Sequence, residues 1–225
     1  MQIPATYTPK GVSFILHGRP KNVMKDHPAY EDIIAALKEN DVELLEDITN
    51  ISSFVAKITN GDVQLSDDEV RYKGTKVPEY LAVRMLEHNK EGLPIEPLCR
   101  FAEKLMQNPA LDVREDLYKW MENGNMPVYP DGDFAAYKAV KTDFTPFNKG
   151  PYGQDQSVGK VVEMPRNEVV ENRYETCAPG LHFCSYEYIP KIYSSESSNI
   201  IIVKINPADV LSLIHISEPT RRTPI

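Results

Sequence analysis

The hydrophobic pattern divides the chain into a helical first part and a β-rich second part. In the first part apolar residues recur every three to four positions, a spacing that predicts amphipathic helices. Asp41 stands where it can cap the second of these helices. Short β-rich runs interrupt the helical part, and the first of them leads into a predicted hairpin or turn at residues 18–20. The helices are predicted at residues 28–37, 42–48, 51–58, 78–86, 94–107 and 112–122, and the strands at residues 11–17, 62–65 and 69–72.

The second part has β-rich runs separated by loops rich in Gly, Pro, Asn and Asp. Strands are predicted at residues 134–140, 158–164 and 199–205, with a short strand or turn at 180–184. A helix at 185–193 is expected if Ser185 caps it. We therefore predict an α+β fold, with a mainly helical domain with small β-hairpins at residues 1–128. A small β-rich α+β module follows at residues 129–210.

The final residues do not resemble a natural protein sequence. Residues 211–221 resemble the in-frame translation of a sequencing adapter, and we expect residues 211–225 to be non-native. The natural sequence is then cut off near Val210, and the C-terminal module is incomplete. A missing strand would leave a sheet edge open.

Composition narrows the class of protein. The chain has 225 residues, of which 41% are hydrophobic and 26% charged, values typical of a globular protein with one or two domains. The net charge of −8 argues against a nucleic-acid binder and against a polybasic membrane anchor. There is no apolar run long enough for a membrane span and no secretory signal. The odd number of cysteines, Cys99, Cys177 and Cys184, fits a reducing compartment.

Several sequence blocks in the second part resemble the phage rapid-lysis rIIB family. They read DGDF at 131–134, AYKAV at 136–140, VGKVVEMPR at 158–166, TC at 176–177, GLHFCS at 180–185 and VKI at 203–205, followed by Pro207, Asp209 and Val210. They occur in the family's order, and a looser similarity extends the resemblance to about residues 11–210. By this resemblance, we expect this sequence to start after the helix-turn-helix-like segment that the best-known family member carries.

The resemblance implies a function and a location. The expected protein is a non-enzymatic phage accessory protein in the cytoplasm of the infected bacterium, close to the inner membrane. It would bind an rIIA-like phage protein in lysis timing or in countering a prophage exclusion system. No cofactor is expected. We take the motif-rich module as the binding part, with a candidate surface made of Tyr137, Lys138, Arg166, Gly180, Leu181, His182 and Ser185.

A second hypothesis is a zinc site or a small enzyme centred on Cys177, His182 and Cys184. Thiolate and imidazole groups are good zinc ligands, but a structural site needs four and only three are close in sequence. A Cys–His nucleophile would need the imidazole beside the thiolate. If residues 181–184 form a strand, His182 and Cys184 lie on the same face. The alternative is that His182 is only hydrogen-bonded and Cys184 only half-buried, with neither metal binding nor catalysis.

Overall fold

The computed structural model describes residues 3–25, 27, 29–66, 69–91, 93–147, 154–170, 172, 179–189 and 198–213. These residues form a mixture of α-helices and small antiparallel sheets, so the predicted α+β class is confirmed. The chain divides into two compact units, Met1–Val77 with Ala82–Cys99, and Pro78–Leu81 with Arg100–Ile225. The boundary that we expected after residue 128 falls inside the second unit. A separate module at 129–210 stays a prediction.

The first unit begins with a three-stranded antiparallel sheet covered on one face by two helices. Its strands lie in the order β1 (Ala5–Thr8), β2 (Gly11–Leu16) and β3 (Arg19–Met24), and the helices are α1 (Tyr30–Glu39) and α2 (Val42–Thr49). The predicted turn is a tight hairpin, in which His17 and Gly18 both have positive φ angles, of 49° and 75°. The buried core consists of Val12, Phe14, Leu16, Val23, Ile33, Ala36, Leu37 and Leu45.

The predicted cap at the start of α2 is confirmed. The Asp41 carboxylate accepts a hydrogen bond from the backbone N–H of Leu44 at 3.0 Å, which satisfies one of the free donors of the first turn. The rest of the unit contains α3 (Ile51–Ile58), a second antiparallel sheet in the order β4 (Val63–Leu65), β5 (Val70–Tyr72) and β6 (Thr75–Lys76), and most of α4 (Glu79–Glu91). Strand β6 has only two residues, and it was not predicted; nor were β1 and β3 of the first sheet.

In the second unit, helices pack against a pair of long antiparallel strands. It contains most of α5 (Glu96–Met106), α6 (Leu111–Asn123), β7 (Phe134–Lys141) and β8 (Ser198–Ile205). Strands β7 and β8 pair antiparallel over all eight residues of each, from Phe134 opposite Ile205 to Lys141 opposite Ser198. The ring of Phe101 packs edge-on against the rings of Tyr118 and Phe134, with centroids 5.6 and 6.3 Å away. Cys99 of α5 is fully buried and Trp120 of α6 is half-buried.

One predicted strand of the second part is wrong, and one predicted helix is described only in part. Residues 158–164 are not a strand, and Val158 and Val161 are 89% and 83% exposed. A strand needs a neighbour to pair its backbone, and no strand in the described ranges pairs with this segment. The expected helix at 185–193 is described only as far as Ile189: Tyr186–Tyr188 form a 3-10 turn, Ile189 is α-helical, and the rest of the predicted helix lies outside the described residues. Ser185 makes no side-chain capping bond there.

Candidate functional site

The segment 180–185 lies along one edge of β7, and β8 lies along the other. Tyr137 and Cys184 exchange two backbone hydrogen bonds of 2.8 Å, the pattern of an antiparallel bridge. The Cys184 thiol also donates to the Tyr137 carbonyl oxygen, with the two atoms 3.4 Å apart. The structure therefore places Tyr137 and Lys138 beside the Gly180–Ser185 block, although the two lie about 45 residues apart in sequence.

Aromatic contacts hold this segment against the unit. Phe183 packs edge-on against Phe134 and Trp120, with ring centroids 5.7 and 5.8 Å away. Ser185 packs against the end of α6, where a Cβ atom placed on Gly124 would lie 3.0 Å from the Ser185 Cβ. Phe183 and Ser185 thus position the segment, which makes Ser185 a structural contact as well as a candidate surface residue.

The solvent-facing side of β7 and β8 carries exposed apolar residues. Tyr137 stands opposite Ile202 in the sheet, and its ring packs edge-on against Tyr186 at 5.3 Å. Ile202 is 63% exposed, Tyr186 56% and Ile200 48%. We call Tyr137, Tyr186, Ile200 and Ile202 the β7–β8 face. Exposed apolar patches of this kind are typical of interaction sites.

The remaining predicted surface residues lie on neighbouring segments. Arg166 begins a 3-10 turn, Arg166–Glu168. This segment is tied to the candidate block, because the Val170 N–H donates to the Pro179 carbonyl at 3.0 Å. A Cβ atom on Gly180 would lie 3.1 Å from a Val169 methyl carbon, so Gly180 allows close approach of the two segments. Leu181 and His182 are exposed.

The electrostatics of Lys138, His182 and Cys184 favour their neutral forms. Burial lowers the pKa of the Lys138 ammonium from its ordinary value. Partial desolvation, followed by the nearby charge of Lys138, lowers the pKa of His182. Burial raises the pKa of the Cys184 thiol, and Lys138 only partly offsets this. Because the thiolate is the nucleophile and the metal ligand, these shifts disfavour both roles for Cys184.

The structure describes only part of the predicted metal site. Cys177 lies outside the described residues, while His182 and Cys184 lie inside them. Among the described residues no group of three or more His, Cys, Asp or Glu side chains is placed to hold a metal ion. A zinc site that includes Cys177 stays a prediction.

The DGDF block at 131–134 forms an ion-paired turn that leads into β7. The Asp133 carboxylate lies 2.6 Å from the Lys104 ammonium of α5 and 3.5 Å from the Lys204 ammonium of β8. Lys204 is also paired with Asp131, and its ammonium lies 5.4 Å from the centre of the Tyr129 ring. The turn therefore connects α5 to both strands, which gives this block a structural role.

The contribution of the Asp131–Lys204 ion pair to stability is expected to depend on pH. The hydrogen bond from Lys204 holds the pKa of the Asp131 carboxyl below its ordinary value of 3.8. A carboxyl whose pKa is lowered by folding stabilises the folded state above its unfolded pKa, and that contribution is lost as the pH falls through the folded value. We expect Asp131→Asn to lower the urea midpoint at neutral pH and to leave it unchanged at the acid end. Urea unfolding from neutral pH to below about pH 3 measures this, with Asp209→Asn as the exposed control. A constant difference at every pH would contradict the assignment.

Two structural features were missed at the level of sequence. Asn108 is 1% exposed and donates through its amide to the carbonyls of Pro207 and Val210, at 2.8 and 2.7 Å. The Asn-Pro pair after a helix signalled only a turn. Ile200 and Ile202 belonged to a predicted strand, but three consecutive isoleucines conceal which face is exposed.

The described structure is that of a two-unit α+β protein whose second unit carries an exposed face of aromatic and aliphatic side chains. The family model described as Bacteriophage T4 protein rIIB matches residues 6–217 of the chain. The chain therefore belongs to the rIIB family of phage proteins, as its sequence blocks indicated. The match runs past Val210, and the assignment of residues 211–225 to an adapter stays a prediction.

One curated relative is Protein rIIB of Enterobacteria phage T4. The two sequences are 29% identical over 205 residues, which are 91% of this chain and 65% of that protein. The chain thus spans about two thirds of the length of that relative. No solved structure matches the chain.

Proposed function

We propose that this protein acts by binding another protein, an rIIA-like phage protein, at the inner membrane of the infected cell. Its role there is in lysis timing or in countering an exclusion system. Family membership supports the phage setting. The partner and the role come from the resemblance that the sequence blocks carry. Among the described helices, none has the combination of length and apolar character that crossing a bilayer requires.

The observation that carries the binding proposal is the exposed β7–β8 face. Tyr186, Ile200 and Ile202 are each about half or more exposed, and Tyr137 connects them across the sheet. Tyrosine is enriched at protein interfaces because it provides a large contact area at a low cost in side-chain entropy. The raised pKa of the Cys184 thiol disfavours the thiolate that the enzyme alternative would need at this residue.

The experiment is a titration of this chain with the purified rIIA-like protein of the same phage. We expect Ile202→Gln to weaken binding about tenfold or more, since it puts a polar amide into the centre of the contact. The matched control is Leu111→Gln, because Leu111 is 68% exposed and belongs to α6, not to the β7–β8 face. Calorimetry measures the affinities, and circular dichroism checks that both variants fold. Equal affinities for the two variants would contradict the use of this face.

A further inference from the structure

The three-stranded sheet β1-β2-β3 of the first unit exposes a face that contains no charged side chain. Strand pairing places Thr6, Ser13 and Asn22 in one row across the three strands, and Thr8, Gly11 and Met24 in another. Ile15 and Pro20 complete this side of the sheet. We call the seven side chains Thr6, Thr8, Ser13, Ile15, Pro20, Asn22 and Met24 the outer face, and all seven are exposed.

The absence of charge on the outer face is unusual for this chain. Charged residues make up 26% of the sequence and are normally concentrated on solvent-facing positions. The face instead exposes apolar side chains, with Ile15 48% and Met24 55% exposed. Charged residues are depleted, and methionine is enriched, at the centres of protein interfaces. The outer face therefore shares with interface centres the absence of charge and an exposed methionine.

One end of the same sheet is basic. Residues 3–25 contain Lys10, Arg19, Lys21 and Lys25 but no Asp or Glu, in a chain whose net charge is −8. The Lys25 N–H donates to the Lys10 carbonyl at 2.9 Å, which places both lysines at one end of the sheet. Arg19 and Lys21 stand opposite Leu16 and Phe14, on the buried side of the sheet, and do not border the outer face. We call Lys10 and Lys25 the basic rim.

We propose that the outer face binds a protein partner with an uncharged, partly apolar centre and carboxylates along one side, opposite Lys10 and Lys25. Such a partner complements both the uncharged centre and the basic rim. A second copy bound through the same face would bring two basic rims together, which is repulsive. A nucleic acid would need cations or stacking rings on the face itself, and a bilayer would need more apolar side chains than threonine, serine and asparagine provide. The surface lies in the first unit, so the proposal does not rest on the β7–β8 face.

Photo-crosslinking in infected cells tests this proposal. Benzoylphenylalanine replaces Asn22 in the full chain, and the same residue at Leu111 serves as the control site. Mass spectrometry identifies any product and its attachment point. The identified protein is then purified and titrated with this chain as NaCl is raised from about 0.05 to about 0.5 M.

The proposal requires a product specific to position 22, attached beside Asp or Glu residues of another protein. Binding of that protein must weaken with salt. Ile15→Lys, which puts a charge into the centre, must weaken it about tenfold. Lys10→Glu must also weaken it, whereas Lys160→Glu, at an exposed lysine of the second unit, must not. The proposal is overturned if any of these binding results is not obtained. It is also overturned if the product is a second copy, a lipid or a nucleic acid, or if no product is specific to position 22.

Discussion

Replacing Gly132 with alanine is expected to destabilise the second unit by about 2–4 kcal/mol. Gly132 has a φ angle of +84°, a conformation that residues with a Cβ atom rarely adopt. A Cβ atom there would also lie 2.5 Å from the backbone carbon of Arg100 and 2.6 Å from the backbone nitrogen of Phe101. Because those atoms belong to α5, the helix would have to move. Urea unfolding followed through Trp120, the single tryptophan of the chain, measures the loss.

Gly159→Ala is the matched control for this variant. Gly159 has almost the same φ angle, +85°, but a Cβ atom there would meet nothing within 4 Å. The control therefore carries the backbone penalty alone, about 1–2 kcal/mol at most. The difference between the two variants isolates the contact between the 131–134 turn and α5. Equal losses of stability would show that this contact is not close in solution.

Replacing Asn108 with alanine is expected to cost about 2–4 kcal/mol. The buried amide satisfies the carbonyls of Pro207 and Val210, and its oxygen accepts the Ala110 N–H at 2.9 Å. Alanine leaves these buried groups without their partners, and buried polar groups without hydrogen bonds are costly. Hydrogen–deuterium exchange should also become faster in the 198–213 segment, which Asn108 ties to the end of α5.

Two further variants sharpen the Asn108 prediction. Asn206→Ala removes one local hydrogen bond, from the Ala208 N–H at 3.0 Å, and should cost only about 1 kcal/mol. Asn108→Asp keeps the size of the side chain but directs a carboxylate at two carbonyl oxygens. It should therefore be less stable than Asn108→Ala at neutral pH and recover partly on acidification. If alanine at position 108 is tolerated as well as alanine at 206, the amide does not hold the segment.

The helices and hairpins of the first unit could be predicted because their signals are local. The three-to-four-residue spacing of Ile33, Ala36 and Leu37 makes one face of α1 apolar, and the core uses that face. The Asp41 cap and the turn at Gly18 depend only on neighbouring residues. In such segments the local preference and the tertiary packing agree.

The candidate site could be predicted only in part. The sequence named Tyr137, Lys138, His182 and Ser185, and the structure places them on adjacent segments. It did not indicate that Ser185 packs against α6 or that Ile202 is exposed. The predicted strand at 158–164 was wrong because a β-rich run becomes a strand only when another strand pairs with it. Val158 and Val161 remain exposed there.

The sequence by itself determined the α+β class, helices α1 to α6, strands β2, β4, β5, β7 and β8 and the family, because periodicity, capping and motif order are properties of the chain alone. It did not indicate β1, β3 or β6. The tertiary structure decided the pairing of β7 with both β8 and Cys184, the burial of Asn108 and the uncharged outer face. Each of these depends on contacts between residues far apart in sequence. No local preference specifies such contacts, since the packing of whole elements selects them.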